Sequence, residues 1–252
     1  MRTLLTIVII MAAGPNVLSQ AAMQSGKVLY DEVMKLEIKI EGDASQFAHL
    51  LPKERKSVKV LFFNREESLY EKGDQEEEPI DDVVESDEPM VKIKMAEPDN
   101  KLYTDLAGKT RIEQKEFMTR IFLIEGQVPD HAWKLTGQQK MILDYPCQEA
   151  TLELEDKKIS AWFTPAIPVP AGPAEYVNLP GLVLSVDIDE GQRIITARSV
   201  EAMEPTSENL QKPRKGKKVT REEFDAIVAE KMEETGAEHG EGGNVMMIRI
   251  EK

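Results

Sequence analysis

Apolar and charged residues alternating at every second position restrict this chain more than any other feature. Leu36, Ile38 and Ile40 alternate with Lys35, Glu37 and Lys39, and Val91, Ile93 and Met95 alternate with Lys92 and Lys94. Leu152 and Leu154 alternate with Glu153 and Glu155, while Leu182, Leu184, Val186 and Ile188 interleave with Ser185, Asp187 and Asp189. Successive side chains of a strand point to opposite faces, so each run has one apolar and one wet face, as half-buried antiparallel strands do. Val58 to Phe63 reads as a more fully buried strand. Turn chemistry joins these runs. Glu155 to Lys158 reverses the chain between Thr151–Leu154 and Ile159–Thr164, and Asp189, Glu190 and Gly191 connect Leu182–Ile188 to Arg193–Val200. The expectation is a largely antiparallel sheet whose apolar face must be covered by a second layer, a helix or a bound apolar partner.

One helix is predicted near the C-terminus. Thr220 and Glu223 form a capping box, and Phe224, Ile227, Val228 and Met232 fall on one helical stripe. Glu222 and Glu223 also place negative charge at the positive end of the helix dipole. Docking of the stripe on the sheet is the expected role.

The chain carries 32 Lys and Arg against 46 Asp and Glu, a net charge of −14, which repels phosphate and argues against nucleic acid as a partner. Nine of those carboxylates lie between Asp74 and Glu88, a block expected to repel itself into a solvated loop. A basic cluster, Lys212, Arg214, Lys215, Lys217, Lys218 and Arg221, precedes the helix. It reads as solvated surface, as a contact for phosphate-bearing lipid or an acidic partner, or as balance for the acidic block.

The N-terminus predicts export. Arg2 is followed by an apolar stretch from Leu4 to Ala13, the breakers Gly14 and Pro15, and small residues Val17 and Ser19 placed for a cut before Gln20, with Ala21 as an alternative cleavage residue. The apolar stretch is about half the roughly 20 residues a membrane helix needs, and charges interrupt every later apolar run. The expected organisation is a signal peptide over 1–19, a single β-rich domain over 20–234 with an acidic mobile loop at 74–89, and a Gly/Glu-rich tail over 235–252. The expected location is the periplasm, or the extracellular space beyond it.

Catalytic and metal chemistry finds little support. Cys147 is the single cysteine, which excludes an intramolecular disulfide and reads as a buried hydrophobe or an interchain link. His49 and His131 are isolated, and no catalytic constellation or cofactor motif is present. An enzyme, with a hydrolase using two carboxylates as the form considered, is the weaker reading. His239, Met246 and Met247 in the tail could hold copper, against the plainer reading of a final strand through Val245, Met247 and Arg249.

The most individual segment runs from Trp162 to Leu184, WFTPAIPVPAGPAEYVNLPGLVL. Pro165, Pro168, Pro170, Pro173 and Pro180 stiffen it, since each fixes its own backbone angle and biases its predecessor toward extended geometry. Pro180 and Gly181 are predicted at the centre of a type II turn. Two roles stay open: a preordered docking surface for a partner, or a plug that closes the sheet.

This segment resembles the signature of the GLPGLI family, exported proteins of Bacteroidetes, with the six motif positions at Asn178, Leu179, Pro180, Gly181, Leu182 and Val183. Trp162, Thr164, Pro165, Ile167, Pro168, Gly172 and Pro173 resemble the family's aromatic and proline block, and Tyr145, Cys147 and Ala150 an upstream element. Pro213, Lys215, Gly216, Lys217, Thr220, Glu223 and Phe224 resemble its lead into a terminal helix. Asn178 stands where the family has glycine, consistent with a positive backbone angle there, and Phe163 stands for tyrosine. The resemblance implies a β-rich exported protein of uncharacterised activity linked to outer-membrane transport, with a TonB-dependent receptor or another envelope protein as partner. By analogy the architecture is a curved antiparallel half-barrel with a covering helix, like the periplasmic lipoprotein-carrier fold. The residues expected at a partner surface are Trp162, Pro165, Pro168, Gly172, Pro173 and Asn178 to Leu182.

Overall fold

The computed structural model describes residues 22–36, 53–73, 93–94, 98–154, 156–235 and 249–250. Its strands are β1 (Gly26–Lys35), β2 (Glu54–Phe63), β3 (Glu67–Lys72), β4 (Ile93–Lys94), β5 (Lys101–Asp105), β6 (Thr110–Phe117) and β7 (Arg120–Gln127). There follow β8 (Lys134–Ile142), β9 (Tyr145–Leu154), β10 (Lys157–Thr164), β11 (Leu182–Ile188), β12 (Arg193–Ala202), β13 (Lys217–Val219), the helix α1 (Arg221–Thr235) and β14 (Arg249–Ile250). Twelve strands form one open sheet in the order β13-β7-β6-β5-β3-β2-β1-β12-β11-β10-β9-β8, and β4 pairs with β14 separately. Every pairing is antiparallel except β13 on β7. Among the described residues the architecture is mainly β with one C-terminal helix, as the sequence predicts.

The two predicted hairpins form. Ile159 pairs with Leu152 across the β9–β10 turn, where Asp156 has φ 66°. Asp189, Glu190 and Gly191 all have positive φ in the β11–β12 turn, and the Gly191 amide donates to Asp187 Oδ1 at 2.6 Å. Strand β11 departs from the half-wet expectation. All but Asp187 are buried, Ser185 included, because β11 lies inside the sheet and the Ser185 hydroxyl bonds Thr196 Oγ1 at 3.2 Å. The first strand begins ten residues before the predicted Leu36 to Ile40 run, at Gly26, and residues 37–40 lie outside the described residues. Of the run around Val91, Ile93 and Lys94 are strand.

Register places two apolar clusters on one face. Val28, Leu61, Tyr70, Leu102, Glu113 and Ile124 are successive cross-strand partners from β1 to β7. At the β7 end of that face α1 buries Phe224, Val228 and Met232 against Phe117, Phe122 and Ile124. The Phe224 ring meets Phe122 edge-on, with centroids 5.4 Å apart. At the other end the cover is the proline-rich segment itself, whose Ile167, Val169, Ala171, Tyr176 and Leu179 pack on Val28, Tyr30, Phe163, Leu184 and Ile195. The opposite face is covered locally by Leu210, which packs on Leu69 and Tyr103.

The capping box forms as predicted: the Glu223 amide donates to Thr220 Oγ1 at 3.1 Å, and the Thr220 amide donates to Glu223 Oε2 at 2.9 Å. Thr220→Ala is expected to lower stability by about 1 kcal/mol, and Phe224→Ala by about 3–5 kcal/mol because it empties the helix seat. Urea unfolding of the two variants measures both losses and their order.

Candidate functional site

The segment between β10 and β11 is built inward first. Tucked beneath the chain, Ile167, Val169, Ala171, Gly172, Pro173, Ala174, Tyr176, Val177 and Leu179 are buried, while Pro165, Ala166, Pro168, Asn178 and Pro180 are exposed. Proline supplies no amide donor, so the segment closes on itself through the few amides it has. Asn178 N donates to Pro170 O at 3.1 Å, Val183 N to Ala171 O at 3.0 Å and Leu182 N to Ile167 O at 2.9 Å. The prolines thus produce a compact folded layer with a crest of exposed residues.

Two glycines fix that layer's closest approaches. A Cβ on Gly181 would lie 2.1 Å from Thr164 O, and one on Gly172 would lie 2.1 Å from Tyr176 O and 2.9 Å from Val183 Cβ. Gly181 does not occupy the predicted type II turn. Its φ is 155°, where that turn needs about +80°, and the amide of Leu182 is directed to Ile167 instead of Leu179. The close packing of backbone on backbone decides the conformation there. Asn178 does adopt the positive angle its identity suggests, with φ 67°.

A strap from the β7–β8 connection ties the crest down. Asn178 Nδ2 donates to Pro129 O at 3.3 Å, and Trp133 Nε1 donates to Val177 O at 3.1 Å. His131 stacks edge-on against Trp133, and burial of its ring pushes its pKa below the ordinary histidine value. Trp162 is half-buried on β10, and Lys140 Nζ of β8 sits 4.0 Å above its ring. Cys147 is buried in the main core, where burial raises its thiol pKa.

The same sheet face carries a charged belt that sequence reasoning missed. Buried Glu32 accepts from Arg193 Nε at 2.9 Å and from the Tyr70 hydroxyl at 3.2 Å. Burial and then the Glu32 charge drive the Tyr70 pKa well up, while Arg193 stays cationic because Glu32 outweighs the cost of its burial. A second carboxylate, Glu113 on β6, holds Arg221 of α1, with Arg111 Nε at 3.2 Å. Burial alone would raise the Glu113 pKa, but the Arg221 hydrogen bond and the charges of Lys115 and Arg111 hold it below its ordinary value. The alternation of β1 as Val28, Tyr30, Glu32 puts Glu32 on the apolar face, which is the signal that could have found it.

The basic cluster divides in the structure. Arg221 serves Glu113, Lys218 pairs with Glu125 at 2.8 Å and Lys212 lies 4.8 Å from the Tyr103 ring, while Arg214, Lys215 and Lys217 are exposed. His239, Met246 and Met247, the acidic segment 74–89 and the signal segment 1–19 lie outside the described residues. Among the described residues no group of His, Cys, Asp and Glu is arranged to hold a metal ion, and no helix is long and apolar enough to cross a membrane.

Residues 152–185 match a family described as "Protein of unknown function (Porph_ging)", a stretch that contains the whole proline layer. No curated protein matches the chain. Among solved structures, PNGF-II in a C2 crystal form is similar at TM-score 0.54 and 14% identity, over 81% of this chain and 32% of that one. The P21 form is similar at TM-score 0.54 and 13% identity, over 81% of this chain and 33% of that one. The present chain therefore spans about a third of the length of those chains, and the likeness is one of fold.

Two results test this geometry. Gly181→Ala and Gly172→Ala are each expected to destabilise by about 3 kcal/mol, whereas Gly126→Ala, where a Cβ meets nothing within 4 Å, should change stability by less than about 0.5 kcal/mol. Glu113, with its lowered pKa, stabilises the fold above the unfolded carboxylate range, and this contribution is lost as pH falls toward the folded value. Glu113→Gln is therefore expected to be less stable at neutral pH and to show a flatter acid limb in a stability–pH profile.

Proposed function

We propose that this protein is an exported cell-envelope module of the GLPGLI type that acts by binding, not catalysis, and that it docks a protein partner through the crest of its proline layer. The observation that carries the reading is the division of that layer into a buried base and an exposed crest of Pro165, Ala166, Pro168, Asn178 and Pro180. A surface held by self-closing hydrogen bonds and two tight glycine contacts loses little freedom on binding, so its contacts convert efficiently into affinity. A protein partner fits better than an apolar ligand, because the layer's own side chains fill the space over the sheet's apolar face. The buried carboxylates also argue for structure over catalysis, since Glu32 and Glu113 are each bonded to an arginine. The leader pattern supports the periplasm as the site of action, and the family resemblance supports a TonB-dependent outer-membrane receptor or another envelope protein as the partner.

The full chain, tagged and expressed in a Bacteroidetes host, is expected in the periplasmic fraction with Gln20 at its N-terminus. It should co-purify with an outer-membrane receptor, and the double variant Pro168→Asp and Pro180→Asp, with an unchanged melting curve, should recover that partner about tenfold less well. Equal recovery by the folded variant would remove the crest from the interface.

A further inference from the structure

The two ends of the open sheet are finished differently. At one end β13 has three residues, two of them lysine, a short and charged edge that discourages pairing. At the other end β8 is nine residues long, with eight of them exposed, and carries no strand on its outer side among the described residues. Leu135 is 60% exposed and Met141 61%. Opposite Met141 in the register stands Pro146, which has no amide to exchange. Met141 and Pro146 are therefore a non-hydrogen-bonded pair, so the N–H and C=O of Met141 point away from β9, and by alternation those of Gln139 do too.

The charge of this edge runs against the rest of the molecule. From His131 to Leu143 there is no Asp or Glu, while Lys134 and Lys140 are present, in a chain of net charge −14. Lys140 is held above Trp162, which links the edge to the motif segment. The charges disfavour a second copy of this chain, since β8 on β8 would set Lys against Lys and two acidic molecules repel. They leave the edge complementary to a strand of opposite charge.

We propose that β8 is a strand-addition site that takes an extended segment of a partner protein in which acidic residues alternate with apolar ones. Backbone groups of Gln139 and Met141 supply the ladder, Leu135 and Met141 the apolar contacts, and Lys134 and Lys140 the selection for carboxylates. The inference rests on the partner-binding reading and adds the chemistry of the partner.

The test titrates the purified full chain with a fluorescent peptide of alternating Glu and Val that matches the length of β8. Saturable binding is expected, weakened about tenfold by Met141→Pro, which removes one outward amide at an edge that tolerates proline. A similar loss is expected for Lys134→Glu with Lys140→Glu, and for a Lys–Val peptide on the unaltered chain. Unchanged binding by folded Met141→Pro, equal affinity for the Lys–Val peptide, or no saturation would each overturn the proposal. So would a concentration-dependent dimer in sedimentation that Met141→Pro abolishes, since that assigns the edge to a second copy. The crest variant Pro168→Asp with Pro180→Asp is expected to bind the peptide normally, so failure of the edge proposal and failure of the crest reading are told apart.

Discussion

The fold depends on the base of the 165–181 segment being buried against the sheet. A one-layered sheet of twelve strands exposes an apolar face that water does not tolerate, and α1 reaches only its β7 end. The proline layer supplies the missing cover over β1, β2 and β10 to β12, through side chains as large as Tyr176 and Ile167. Its prolines serve this role in two ways: they lower the entropy lost on ordering, and they remove amides that the layer could not satisfy. Gly172 and Gly181 are the points where this layer touches neighbouring backbone too closely for any side chain.

Beside its apolar clusters the same sheet face carries two buried carboxylates. Burying Glu32 alone would be costly, and the bonds from Arg193 and Tyr70 offset that cost. Glu113 with Arg221 ties the same face to the first turn of the helix. Glu175 of the proline layer interacts electrostatically with both His131 and Arg221. The belt therefore joins plug, sheet and helix, and fixes their relative placement in a way that apolar contacts, which are non-directional, would leave looser.

Much of this was legible from local pattern. The hairpin turns at Asp156 and at Asp189 to Gly191, the capping box of Thr220 and Glu223, and the left-handed angle of Asn178 each follow from chemistry within a few residues. What was not legible depends on neighbours distant in sequence. Strands β3 and β5 to β8 are not among those the sequence predicts, and β8, at the sheet's end, is exposed over nearly its whole length. Ser185 looked wet and is buried, since β11 acquired neighbours on both sides. The Pro180–Gly181 pair looked like a type II turn, but Thr164 lies against Gly181 and sets a different angle.

The sequence by itself determined the fold class, the position of the helix and the stiffness of the proline segment, because periodicity, capping and ring geometry are properties of short stretches. It also marked that segment as the individual part of the chain, and the family match over 152–185 falls there. Only the tertiary structure decided that the segment is chiefly a cover with an exposed crest, that Glu32 and Arg193 meet across 161 positions of sequence, and that β8 ends the sheet as a basic edge among the described residues. Each of these is a matter of which surfaces meet, and strand order in the sheet sets that.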